Sequence, residues 1–153
     1  MSNLLLMGET YLYPTQEAGK AFIERNITGS VVMLNLLRFR EYADYSGTPH
    51  LASATPITGK MAYQLYMEHT LPHLIQSGGE VLFYGKGGQF LIGPIDEVWD
   101  AVLLVSQHSV DSFIAFTSDA GYLEGIGHRT AALLDSRLLP LIESQKQLTK
   151  MVI

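Results

Sequence analysis

His128-Arg129, with Asp135-Ser136-Arg137 shortly after, brings an imidazole, two guanidiniums, a carboxylate and a hydroxyl into a stretch otherwise made of Thr, Ala and Leu. Polar groups in such surroundings need partners. They either pair with one another at the end of a strand, which is the default for clustered ions, or meet a ligand. In the second case His128 is the candidate catalytic acid/base, Arg129 an anion holder, and Asp135 and Ser136 further ligand contacts. Period-two alternation along a strand from His128 to Leu139 sets Arg129, Asp135 and Arg137 on one face and His128 with Ser136 on the other. At most one of His128 and Arg129 then meets a given ligand.

Asn35 and Arg38 interrupt the apolar run from Val31 to Phe39 and fall on opposite faces of it. An amide in mid-strand is costly unless bonded, so Asn35 either pins a neighbouring strand, the default, or bonds a ligand. Arg38 is placed to pair with Asp100 or Asp135, or to hold an anion. Trp99 could line an aromatic ligand cavity with Phe83, Tyr84, Phe90, Phe113 and Phe116, although aromatic residues on strands and helices are mostly core.

His69 and His73 have the i, i+4 spacing of a metal-binding helical pair. Pro72 lies between them, no third ligand follows at a known spacing, and the pair sits off the apolar stripe of its helix. A solvated flank is expected and no metal is assigned. Gly85-Lys86-Gly87-Gly88 lacks the G-x-x-x-x-G-K-[ST] order and its strand-to-helix setting, so it reads as a turn. No G-x-G-x-x-G opens a helix and no G-x-S-x-G is present, which leaves neither a dinucleotide fold nor an α/β-hydrolase supported.

Fifteen acidic against ten basic residues, a formal charge of −5, offer no footprint for a phosphate backbone, so nucleic acid is not an expected partner. With no cysteine, disulfides, thiolate catalysis and cysteine-ligated metal centres are excluded. The first residues lack a basic n-region, and no run reaches the roughly 18 apolar residues of a spanning helix. The expectation is a cytoplasmic protein with no membrane partner. A chain of 153 residues that is 47% hydrophobic fits one domain with one core, burying roughly two-thirds of its unfolded surface.

The elements that must position these residues follow from capping and periodicity. Thr15 caps a short helix from Gln16 to Arg25, with Ala18, Phe22 and Ile23 on one side. Val31 to Phe39 reads as a strand covered on both faces. Residues 40–58, rich in Ser, Thr, Gly and Pro, form a loop long enough to be functional or mobile. A helix from Gly59 to Ser77 carries Tyr63, Met67, Thr70 and Leu74 on its stripe, is kinked at Pro72 and stops at Gly78-Gly79. Glu80–Tyr84 and Gln89–Ile92 are strand-like, either a hairpin about the glycines or one long bulged strand, and Glu97–Ser106 is a central strand.

Ser109 and Asp119 cap two helical segments that end at Gly127, and the last strand follows from His128. The order is β-α-β-β-α-β within residues 30–140, after an N-terminal extension, 1–29, and before a tail, 141–153. This is the α+β ferredoxin-like arrangement, an antiparallel sheet with its helices on one face. Since the strands at Val31 and Ala101 are apolar on both faces, the uncovered face calls for a second copy packing sheet on sheet, a homodimer.

Val32-Met33-Leu34-Asn35-Leu36-Leu37-Arg38-Phe39, Leu91-Ile92-Gly93-Pro94 and the run from His128 to Leu138 resemble the family called domain of unknown function 1330. The lead-in Thr10-Tyr11-Leu12-Tyr13-Pro14-Thr15 is similar to the extension of that family's longer members. The resemblance implies a dimeric α+β barrel, a superfamily that includes cofactor-free monooxygenases, muconolactone isomerases and haem-dependent chlorite-decomposing enzymes. It implies a small-molecule pocket without naming the occupant.

Two functional readings stand side by side. One is an enzyme without cofactor acting on a small hydrophobic or aromatic organic acid between sheet and helices, with His128 as acid/base and Arg129 or Arg38 holding the anion. The other is a non-catalytic dimeric binding or scaffold module in which these polar groups satisfy one another. A haem enzyme is a third option and needs a histidine ligand in an apolar cavity.

Overall fold

Thr15 accepts the Ala18 amide at 3.0 Å and so starts helix α1, Gln16–Glu24. The computed structural model describes residues 9–144; the expected tail falls mostly outside them. Strand β1, Val31–Phe39, is followed by a short 3-10 turn at Pro49–Leu51 and by helix α2, Gly59–Gln76, capped by the Thr58 hydroxyl. Strands β2, Glu80–Gln89, and β3, Val98–Gln107, come next. Helices α3, Val110–Thr117, α4, Ala120–Leu123, and α5, Ile126–Ala132, lead into strand β4, Leu133–Leu141.

The sheet is antiparallel throughout with strand order β2-β3-β1-β4. With one helical layer between β1 and β2 and another between β3 and β4, this is the ferredoxin-like α+β fold. Leu37, Ala101 and Leu103 of the sheet pack against Ala62, Tyr63 and Tyr66 of α2 and against Ala132. On the other face, Leu36 pairs with Val102 and Leu34 lies between Leu104 and Leu139, forming an apolar surface that no helix among the described residues covers.

Four expectations need correction. His128 and Arg129 are not on a strand: they belong to α5, and β4 begins at Leu133. Ala131 and Ala132 favour a helix, and both are fully buried there. Gly85 to Gly88 is not a turn but the middle of β2, where Lys86 pairs with Ala101. A Cβ on Gly87 would run into the Trp99 carbonyl, so the glycine serves the close approach of two strands. The second strand is therefore one long strand, bulged between Val81 and Phe83.

His69 and His73 do not form a solvated flank. The His69 Nε2 meets the Gly121 carbonyl at 2.7 Å and the His73 Nδ1 meets the Asp119 carboxylate at 3.3 Å. Helices α4 and α5 cover that side, so Ala62 and Tyr66 are buried along with Tyr63 and Leu74. Finally, among the described residues the Arg38 side chain forms an ion pair with neither Asp100 nor Asp135, although Asp135 is its ladder partner across β4; its Nε donates to the Val98 carbonyl at 2.8 Å. Residues 40–58 are tied down by Ala43 to Ile57 and Asp44 to Ala131 backbone bonds.

Candidate functional site

Helix α1 has no buried residue, yet it is held by contacts at both ends. Phe22 meets Phe113 of α3 edge-on at 6.0 Å, and Arg25 donates to the Pro140 carbonyl of β4 at 3.0 Å. At its leading end, the Tyr11 amide donates to Asp135 Oδ1 at 2.8 Å, and the Ser136 hydroxyl donates to the Tyr11 carbonyl at 2.6 Å. Tyr13 and Thr130 share a further hydroxyl contact. The extension thus lies along the open edge of β4 and roofs a cavity of about 980 Å³ on the helix side of the sheet.

Its floor is the inward face of the strands: Met33 and Asn35 of β1, Leu103, Val105 and Gln107 of β3, and Ser136, Leu138 and Pro140 of β4. Its wall is aromatic, with Tyr63, Tyr66, Phe113, Phe116 and Tyr122. Period-two alternation in β1 puts Met33, Asn35 and Leu37 on this side, which is why an amide stands in the middle of an apolar strand.

Arg129 is a half-buried cation of this wall that lacks an acidic partner; Arg25, exposed beside Pro140, also lines the cavity without one among the described residues, and Arg137 is paired with Asp135. Arg129 Nη1 donates to the Leu12 carbonyl at 2.6 Å and its Nη2 to the Ser136 hydroxyl at 3.4 Å, and no ion pair reaches it among the described residues. Asp135, 6% exposed, is committed elsewhere. Its Oδ1 accepts from Arg137 Nη1 at 2.6 Å, from the Ser136 amide at 2.8 Å and from Tyr11. A guanidinium has five donors in a planar fork, so Arg129 keeps donors for an anion in the cavity.

The tyrosines supply further donors. Burial pushes Tyr63 and Tyr122 well above the ordinary phenol value and Tyr66 up to about 12, each opposed by the nearby Arg129 charge. All three stay protonated at neutral pH. The Tyr66 and Tyr122 hydroxyls bond each other at 2.9 Å.

The site residues expected from sequence separate into four places. Asn35, Arg129 and Ser136 meet at the cavity. Asn35 Nδ2 donates to the Leu103 carbonyl at 3.2 Å and to Met33 at 3.3 Å, so it also pins β1 to β3. Asp135 braces the roof. Trp99, 3% exposed, is outside the cavity lining: the Arg38 and Arg137 guanidiniums lie over its ring at 5.4 and 5.0 Å.

His128 also points elsewhere, its Nδ1 2.7 Å from the Tyr45 hydroxyl. Burial, with His69 nearby, holds it below the ordinary imidazole value. His128 and Arg129 do part company, but because neighbours on a helix diverge by about 100°, not because they alternate on a strand. No histidine lines the cavity, so its wall offers haem no imidazole ligand.

The tyrosines and Gln107 were not singled out from sequence as ligand contacts. Tyr63 and Tyr66 stand at i, i+3, which places both toward one side of α2; Tyr122 and Gln107 reach the same space through tertiary packing alone.

Fold and site define a ferredoxin-like α+β protein with a roofed cavity between sheet and helices. The chain is similar to the RPA0582 protein of unknown function from Rhodopseudomonas palustris, at 34% identity over 90% of this chain and 99% of that one, with a TM-score of 0.77. A structure of methylated RPA0582 gives 34% identity over 90% and 97%, with a TM-score of 0.79. The chain belongs to the family of that protein. A dimeric ferredoxin-like protein of unknown function from Bacteroides fragilis is similar over 74% of this chain and 96% of its own, at 9% identity and a TM-score of 0.46. No family model and no curated protein matches the chain.

Proposed function

We propose that the protein binds a small, largely apolar organic acid in the cavity, with the carboxylate on Arg129 and the apolar body against the aromatic wall. The observation that carries this is a guanidinium without an acidic partner at the edge of a cavity of about 980 Å³. An uncompensated cation beside apolar walls favours an anion of matching shape. Tyr63 and one member of the bonded Tyr66–Tyr122 pair add neutral donors, and Ser136 braces Arg129. His128 carries no role in binding, and no reaction is assigned to the site.

The rival reading, a scaffold whose polar groups satisfy one another, has the Arg129 to Leu12 bond in its favour and the size of the cavity against it. We also infer that the chain works as a cytoplasmic homodimer through the apolar sheet face of Leu34, Leu36, Val102, Leu104 and Leu139. The resemblance to domain of unknown function 1330 supports the same arrangement.

The test is calorimetric titration with benzoate, phenylacetate, cinnamate and octanoate. At least one acid should bind the parent, and Arg129→Gln should weaken it by about tenfold or more, while His128→Ala leaves it unchanged. Equal binding by the parent and Arg129→Gln would overturn the reading.

A further inference from the structure

The cavity wall carries positive charge that nothing in it balances. Three arginines line the cavity, Arg25, Arg129 and Arg137, and among the described residues no Asp or Glu does. Asp135, outside the lining, neutralises one of them, with its Oδ1 at 2.6 Å from Arg137 Nη1. Arg25, at the C-terminal cap of α1, donates Nη1 to the Pro140 carbonyl at 3.0 Å and enters no ion pair among the described residues. The adjacent Glu24 is turned to Lys20, 3.8 Å away. Two guanidiniums are thus left over, each with one donor on a backbone carbonyl and others to spare. Arg25 is exposed, so its remaining donors are within reach of a ligand at the cavity mouth.

Strand β4 sets the spacing of the two charges. Arg129 Nη2 is 3.4 Å from the Ser136 hydroxyl, and Arg25 is held at the Pro140 carbonyl. Ser136 and Pro140 share the inward face of β4 with Leu138 between them, and a strand of that length covers roughly 13 Å. One carboxylate or phosphate group does not bridge such a span; two anionic groups on one molecule do. The surface between is apolar, formed by Leu138, by Met33 opposite Pro140 and by Phe22 of the roof.

We propose that the cavity takes an α,ω-dicarboxylic acid, with one carboxylate on Arg129, the other on Arg25 and the apolar chain along Leu138. This rests on the acid-binding reading above and adds the chemistry of the ligand's other end. An ion pair with an exposed arginine is weak and screened by salt, so the second carboxylate selects among acids of similar shape more than it adds affinity.

The experiment titrates the intact protein at low ionic strength with adipate, suberate and sebacate, and with the monomethyl ester of each, which keeps the chain and removes one charge. Two equivalent carboxylates give about a factor of two by counting alone. At the best-fitting length the diacid should bind about fivefold tighter than its half-ester or more, as one exposed ion pair allows, and the preference should shrink at the other lengths. Arg25→Gln should bring the diacid back to within about that factor of two. Should this variant fail to fold, the parent protein in about 0.5 M salt decides: loss of the preference there supports the exposed Arg25 as its source, and a preference that survives contradicts it. If no diacid exceeds its half-ester by more than counting gives, while Arg129→Gln still weakens the half-ester, this inference is overturned and the acid-binding reading stands. The same holds if Arg25→Gln weakens diacid and half-ester alike, since Arg25 then acts through the roof it fastens. If no acid in the series binds, or binding ignores Arg129→Gln, both fall.

Discussion

Arg129 Nη1 and the Leu12 carbonyl meet at 2.6 Å, so the side chain that faces the cavity also holds the segment that roofs it. Ser136 and Asp135 complete the clamp through the two backbone groups of Tyr11. Opening the roof and exposing the cation are thereby one event.

That clamp is open to test by limited chymotrypsin digestion after Tyr11 and Leu12, since the Tyr13–Pro14 bond resists the protease. Asp135→Ala removes the acceptor of the Tyr11 amide, a bond to a carboxylate of the kind that contributes about 1.5–3 kcal/mol. Cleavage should accelerate about tenfold or more as the roof opens more often. An unchanged cleavage rate would mean that the clamp contributes nothing.

Asn35 is expected to matter for stability independently of any ligand. Asn35→Ala removes one bond from β1 to β3 and one within β1, and should lower the urea unfolding free energy by about 1–3 kcal/mol. A change below about half a kcal/mol would show that the amide does not pin the strands.

The strands were legible in the sequence because their signals are local. Val31–Phe39 matches the strand in full, and Thr15, Ser109 and Asp119 cap helices as their side chains suggest. The boundary at Leu133 was not legible. His128 to Leu139 alternates in type, yet Ala131 and Ala132 are buried by packing against the rest of the fold, which no local pattern encodes. Asn35, Arg129 and Ser136 could be picked out as polar groups among apolar neighbours. Gln107 could not, since a glutamine at a strand end looks like any surface residue until the fold buries it. Trp99 misled, because a lone tryptophan signals a cavity and a cation stack equally well.

His128 gives a pH dependence with a definite sign. Its folded value lies below the ordinary imidazole value because burial disfavours the charged form. The unfolded chain therefore binds the extra proton first, and the contribution is intact above the ordinary value and lost as pH falls below it. The melting temperature of the parent should drop more steeply from pH 7 toward pH 5 than that of His128→Phe. Parallel curves would contradict a depressed value.

The open sheet face predicts the assembly. Light scattering should give twice the 16.9 kDa of the chain, and Leu34→Lys with Leu104→Glu should give a folded monomer, because like-facing apolar positions become charged. A parent protein that is monomeric at micromolar concentration would remove this part of the proposal.

The most direct test of the binding site is a crystal structure of the complex with the tightest acid from the titrations. The carboxylate is predicted to lie about 3 Å from the Arg129 guanidinium, inside the cavity and beneath α1. A carboxylate bound anywhere else, or an acid resting outside the cavity, would contradict it.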